Sequence, residues 1–156
     1  MDNLLRLQLQ GIKMSTIRVA TRADADELGK LSGQLGYPAD PATVLRRLEG
    51  VTSHHAGVVL VAVDPQGGLG GFAHVEPRRL LIAEPFAELA ALVVSETARG
   101  QRVGSALLAA AEAWAREQGF ASMRVRSNVL RERAHRFYLR EGYTEKKRQA
   151  VFLKHL

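Results

Sequence analysis

Apolar and polar positions recur along this chain at periods that mark out its elements in turn. Thr16 to Ala20 alternates and is rich in β-branched residues, which predicts a short strand. Thr21 then offers an N-cap with Asp24 three residues on, and Leu28, Leu31 and Leu35 form a helical stripe ending at Gly36 and Pro38. A second helix is expected after Asp40-Pro41, where Asp caps and Pro suits the first turn, with Val44, Leu45 and Leu48 facing inward. The unbroken apolar run Val58 to Val63 predicts a buried strand, Pro65-Gln66-Gly67-Gly68 a turn, and Leu69 to Val75 its antiparallel partner. After Pro77 the pattern loses regularity until Phe86 to Val94, a further strand. Leu107, Leu108, Ala111, Trp114 and Ala115 share a helical face closed by Gly119. Ala121 to Arg126 reads as a strand and Arg131 to Glu141 as a helix stopped at Gly142. Tyr143 onward with Ala150 to Lys154 reads as a terminal strand pair.

The expected order is β-α-α-β-β-β-α-β-α-β-β. With 156 residues, no internal repeat and no Pro/Ser-rich linker, this predicts a single α/β (α+β) domain, a mixed sheet of about six or seven strands flanked by about four helices. The domain is placed at residues 14–156. Residues 1–13 are expected to be a loosely held N-terminal extension, and Met14 an alternative start.

Composition narrows the function classes. The chain is 46% hydrophobic and 24% charged and contains no Cys, which excludes disulfides, thiolate metal sites and a cysteine nucleophile. No apolar run approaches the roughly 20 residues that span a bilayer, and the start, broken by Asp2, Arg6, Gln8 and Gln10, is unlike a signal peptide, so no membrane partner and a cytoplasmic location are expected. A net charge of +6 attracts anions. Nucleic acid is one candidate, but the arginines are dispersed, aromatics make up 6% of the chain, and neither a helix-turn-helix pattern nor a stacking platform appears. A phosphorylated small molecule fits the charge as well. His54 and His55 are adjacent and have no carboxylate at a telling interval, so no metal site is expected.

The richest segment runs from Glu88 to Leu108. A buried strand enters a short basic loop with glycines, and the loop opens a long helix. That arrangement directs unpaired backbone amides and the positive helix end at one point, a ready phosphate site, with Arg99 and Arg102 beside it. The spacing alone serves equally well for a turn that needs Gly100 and Gly104 and arginines that confer solubility. Neither a Walker loop nor a G-x-G-x-x-G fingerprint is present at this junction, and the cluster Gly67-Gly68-Leu69-Gly70-Gly71 reads as hairpin turn chemistry.

Arg99-Gly100-Gln101-Arg102-Val103-Gly104 resembles the Arg/Gln-x-x-Gly-x-Gly/Ala signature of GNAT-type acyl-CoA N-acetyltransferases, flanked as there by Leu92-Val93-Val94 and Ala106-Leu107-Leu108. Arg102 replaces the first motif glycine, a departure that leaves backbone donors intact and adds positive charge. A second block, Ser127-Asn128 and then Ala134-His135-Arg136-Phe137-Tyr138-Leu139-Arg140-Glu141-Gly142-Tyr143, is similar to the same family, and most of all to its aminoalkylphosphonate acetyltransferases.

The resemblance implies acetyl-CoA as acetyl donor and a primary amine of a small molecule as acceptor, joined by direct attack through a tetrahedral intermediate. Amines of peptides or proteins, or a fold that binds CoA without turnover, are the competing implications. Leu92, Val93 and Val94 would pair with the pantetheine arm where the strand splays after a bulge, and Arg99, Gly100, Gln101, Arg102, Val103, Gly104 and Ser105 would bind the diphosphate. Asn128 would hold pantetheine or acceptor, or simply cap a turn. Glu88 would be the base, against the reading of an edge residue paired with Arg78 or Arg79. Tyr138 would be the acid that reprotonates the CoA thiolate, against that of an ordinary core tyrosine. Many relatives pair through C-terminal strands, which makes a homodimer compatible with the chain.

Overall fold

The structure, a computed structural model, describes residues 15–54 and 56–156. The expected extension over residues 1–13, Met14 and His55 lie outside the described residues. The elements are β1 (Thr16–Val19), α1 (Ala25–Gln34), α2 (Pro41–Glu49), β2 (Val58–Val63), β3 (Leu69–Leu80), β4 (Ala83–Val94), α3 (Val103–Glu117), β5 (Met123–Val125) and α4 (Glu132–Arg140). One five-stranded sheet runs in the order β1-β2-β3-β4-β5, antiparallel from β1 to β4 and parallel between β4 and β5. The chain divides after Val125 into two compact units. The sheet and α1 to α3 belong to the first, α4 and the C-terminal segment to the second.

Local chemistry sets the helix starts. At the turn before α1, Thr21 N donates to Asp24 Oδ2 at 2.7 Å, and the Arg18 guanidinium grips the same carboxylate at 2.8 and 2.9 Å. Hydrogen bonds from Arg18, supported by the Thr21 amide, hold the Asp24 carboxyl below the usual carboxylate range although burial opposes them. Asp40 caps α2 by accepting from Thr43 N at 2.8 Å, with Pro41 in the first turn.

Both sheet faces are covered. Val59, Val61, Phe72 and Val93 pack against Ala25, Leu28 and Leu31 of α1 and Val44 of α2. On the other face Ala73, Val75 and Leu89 are buried, as are Leu107, Leu108 and Ala111 along α3. Gly71 lets α3 approach: a Cβ there would lie 2.4 Å from Val93 O and 3.1 Å from Leu107 Cδ1.

Two expectations are corrected. The irregular stretch after Pro77 is a ladder in which β3 and β4 pair as far as Leu80↔Ala83, with a register shift between Arg78 and Leu80. Pro77 is tolerated because it pairs with Ala87, whose N–H donates to Ser122 O on the far side at 3.0 Å, and because β2 pairs with β3 no further than Val75. The terminal strand pair does not form, so among the described residues five strands stand where six or seven were expected. Arg148 Nε meets Glu145 Oε1 at 2.7 Å, a contact between residues that an extended strand would hold about 10 Å apart on opposite faces, and Val151, Phe152 and Leu153 are exposed without a ladder.

Candidate active site

Register along β4 sets the face on which each side chain stands. Phe72↔Val93, Ala73↔Leu92 and His74↔Ala91 pair regularly, but the next partners are Val75↔Leu89 and Glu76↔Glu88. Ala90 is therefore the extra residue of a β-bulge. In regular alternation Leu89 would follow Val93 and Ala91 onto the face covered by α1 and α2. The bulge reverses this, sending Leu89 toward the α3 side and Glu88 onto the α1–α2 side.

Glu88 is 8% exposed, one of two buried charged residues among those described. Arg78 Nε lies 3.9 Å from its Oε2, beyond hydrogen-bond reach, and Arg124 is its register partner on β5. Arg79, the other partner expected from sequence, instead places its guanidinium over the Phe120 ring at 5.8 Å. The Arg78 partner expected from sequence thus stands near Glu88.

The β4–β5 ladder contains only Ala87↔Met123, Glu88↔Arg124 and Leu89↔Val125. Beyond Leu89, Leu92, Val93 and Val94 pair with β3 on one side and lie outside the three-residue β5 ladder on the other. Val93 is buried in the core, and Leu92 and Val94 are half-buried.

From the end of this strand the chain turns into α3. Ser95 N donates to Gly70 O at 2.8 Å, Glu96–Ala98 form a 3-10 turn, and Gly100 adopts φ +79°. Arg102, just before α3, stands in the left-handed region at φ +59°. The family pattern carries glycine there, the residue that takes this conformation without steric cost. Ala106 N donates the first helical bond, to Arg102 O at 3.0 Å, so the amides of Val103, Gly104 and Ser105 precede the ladder and point along the helix axis. Val103 is buried and anchors the turn, while Arg99, Gly100, Gln101 and Arg102 are exposed. An anion would meet fixed donors and two flexible cations here.

Sequence reasoning missed two residues on the α1–α2 face. His74 and Glu76 alternate with core residues on β3, and His74 Nε2 lies 2.7 Å from Glu76 Oε1, with their side chains 23% and 18% exposed. The signal was available: residues i and i+2 of a strand share a face, so the pattern Phe72-x-His74-x-Glu76 carries polar groups onto an otherwise apolar surface. Both line a pocket of about 430 Å³ together with Ser32 of α1 and Arg47 of α2, and Glu76 stands directly across the ladder from Glu88.

The second unit carries the other two site residues. Asn128 Oδ1 accepts from Leu130 N at 2.9 Å, and its carbonyl meets Arg131 N and His135 Nε2, each at 2.9 Å, so its side-chain oxygen is engaged in a turn. On α4, Tyr138 is half-buried between Phe137 and Tyr143, with edge-on ring centroids at 5.2 and 5.8 Å. Burial raises the Tyr138 phenol above its usual pKa, with the Arg131 charge opposing. Among the described residues no group of three or more His, Asp or Glu is placed to hold a metal, and no helix is long and apolar enough to cross a membrane.

The acetyltransferase (GNAT) family model matches residues 24–143. The chain is 33% identical over 141 residues to aminoglycoside N(6')-acetyltransferase type 1 of Stenotrophomonas maltophilia, covering 88% of this chain and 91% of that protein. It is 50% identical over 58 residues to aminoalkylphosphonate N-acetyltransferase of Salmonella typhimurium, a match to 37% of this chain that spans only 38% of that relative's length. The solved structure of aminoglycoside N-acetyltransferase AAC(6')-Iy in complex with CoA shares the fold, with a TM-score of 0.81 at 19% identity over 92% of this chain and 97% of that one. The chain belongs to the acetyltransferase (GNAT) family, an acyltransferase family whose acetyl donor is acetyl-CoA.

Proposed function

We propose that the protein transfers acetyl from acetyl-CoA to a primary amine of a small molecule by direct attack through a tetrahedral intermediate. The observation that carries this reading is the bulge at Ala90, which turns a buried carboxylate, Glu88, onto the α1–α2 side of the strand that leads to the α3 N-terminus. The named relatives, acting on aminoglycosides and aminoalkylphosphonates, favour a small-molecule acceptor.

In this reading the amides of Val103, Gly104 and Ser105 bind the diphosphate, with Arg99 and Arg102 adding charge and Gly100 and Gln101 shaping the turn. The edge at Leu92, Val93 and Val94 receives the pantetheine arm as an added strand, and Asn128 holds that arm or the acceptor. One β4 amide directed at the thioester carbonyl would stabilise the oxyanion, typically by about 3 kcal/mol.

The acceptor must lose a proton first. An alkylamine of pKa about 10.4 is free only about once in 10³ at pH 7, equivalent to roughly 4 to 5 kcal/mol. Glu88 takes that proton, directly or through water. The amine lone pair forms the C–N bond, the tetrahedral intermediate collapses with cleavage of the C–S bond, Tyr138 gives its proton to the departing thiolate, and the extra proton on the nitrogen leaves through water, which also reprotonates the Tyr138 phenolate. Transfer from a phenol of ordinary pKa about 10 to a thiol of about 8.5 is uphill by only about 2 kcal/mol.

The test is a panel of amines incubated with acetyl-CoA and read by free-thiol release. Release that depends on a small primary amine supports the proposal. Release with none of them, or only with peptide amines, contradicts it.

A further inference from the structure

Acetylation takes two protons from the acceptor nitrogen. One leaves before attack, when the ammonium becomes an amine, and one after it, when the tetrahedral intermediate becomes an amide. A single carboxylate holds one proton at a time. Glu88 accounts for the first, and the second needs its own route to solvent.

The α1–α2 face of the sheet offers one. His74 pairs across the ladder with Ala91, beside the bulge residue Ala90, at a level of the strand between Glu88 and the Leu92–Val94 edge. The cavity that it lines has Ser32 of α1, Arg47 of α2 and Glu76 of β3 as its other polar side chains. Arginine stays protonated and a serine hydroxyl is only weakly basic. Glu76 is committed to His74. Its Oε1 lies 2.7 Å from His74 Nε2, and its carboxyl group packs where Gly57 has no side chain, since a Cβ there would stand 3.2 Å from Glu76 Cδ.

A carboxylate only accepts hydrogen bonds, so Nε2 carries the hydrogen of that contact. In the neutral ring Nδ1 is then left with its lone pair. The pair thus has the construction of an oriented base: the carboxylate fixes the tautomer, and its charge offsets the one that the imidazole gains with a proton.

We propose that His74 is the group through which the second proton passes to water. The inference rests on the amine-acetylation reading above and adds a residue to it. Once the C–N bond has formed, an N–H bond of the positively charged nitrogen breaks, and its electron pair stays on nitrogen. The proton goes to His74 Nδ1, directly or through one water. The ring, 23% exposed, releases it to solvent before the next turnover. His74 is catalytic in this step, and Glu76 is a positioning residue.

The test measures thiol release from acetyl-CoA with the small primary amines of the panel above, 2-aminoethylphosphonate and kanamycin among them. His74→Gln keeps a donor for Glu76 but cannot take a proton, and it should lower kcat about 10²-fold with KM for acetyl-CoA unchanged. His74→Ala should lose as much and regain at least about tenfold on addition of imidazole, with methylimidazoles of higher pKa rescuing better, an order that a merely structural residue does not produce. Glu76→Gln should lower kcat about tenfold or more, without rescue by imidazole. Nitrogen-15 NMR of the wild-type ring needs no variant to fold, and it should show Nε2 protonated and Nδ1 bare in the neutral form. A kcat within about threefold of wild type in His74→Gln or Glu76→Gln, no rescue of folded His74→Ala, or a neutral ring protonated on Nδ1 overturns this assignment alone. Wild-type protein that releases thiol with no amine overturns the underlying reading as well.

Discussion

Glu76 on β3 and Glu88 on β4 face each other across an antiparallel ladder, on the side of the sheet covered by α1 and α2. Two carboxylates directly opposite destabilise a sheet unless cations attend them. Here His74 meets Glu76 at 2.7 Å and Arg78 stands 3.9 Å from Glu88. The juxtaposition exists only because the extra residue Ala90 changes the parity of β4.

Replacing Glu88 tests its role as base. We expect Glu88→Gln to lower kcat by about 10² to 10³ while the Kd for acetyl-CoA stays within about twofold, because the role proposed for the side chain is on the amine. Rapid-quench or steady-state kinetics beside a binding titration would check this. A kcat within about threefold of wild type would remove Glu88 from proton transfer.

Tyr138 is the expected acid. Tyr138→Phe should reduce kcat by about 10² or more with acetyl-CoA affinity nearly intact. The phenol must be protonated to act, and burial raises its pKa. Wild-type activity should therefore show no loss from this group as pH rises toward about 10, the ordinary tyrosine value, and decline only above it. An unchanged kcat in the variant, or a basic limb near neutrality that the variant lacks, contradicts the role.

Arg102 joins a backbone cost to a proposed binding gain. At φ +59° it occupies a conformation that costs a non-glycine residue about 1 kcal/mol or more. Arg102→Gly should raise unfolding stability by up to about 1 kcal/mol in a denaturant titration. The same change should weaken acetyl-CoA binding two- to fivefold at low salt, with the difference shrinking as salt screens the charge.

Asp24 gives the fold a specific acid sensitivity. Its carboxyl pKa is depressed, chiefly by hydrogen bonds from Arg18. The stability it supplies is fully present above the unfolded carboxylate value near 3.9 and is lost as pH falls through the lower folded value. Asp24→Asn should destabilise by about 2 kcal/mol at pH 7, with the gap between variant and wild type closing below about pH 4. Chemical denaturation at pH 7 and pH 3 would show it. A gap that does not change with pH would contradict the assignment.

The helices and the loop before α3 were legible because their signals are local. Thr21 with Asp24, Asp40 with Pro41, and the glycines near Arg99 each act within a few residues. The face of Glu88 was not legible from alternation, since one extra alanine reverses it and nothing in Ala90-Ala91 distinguishes bulge from strand. His74 and Glu76 were overlooked within a run that reads as core. The extent of β3 past Pro77 depended on where β2 stops, a tertiary fact. At the C-terminus, β propensity in Val151-Phe152-Leu153 suggested a strand, but propensity supplies no hydrogen-bonding partner.

The most direct test is a crystal structure with CoA bound. The diphosphate should lie within hydrogen-bond distance of the amides of Val103, Gly104 and Ser105, with the pantetheine arm running along Leu92 to Val94 and its thiol end directed toward Glu88. Electron density for the coenzyme elsewhere on the protein, or none after soaking at millimolar concentration, would contradict the account.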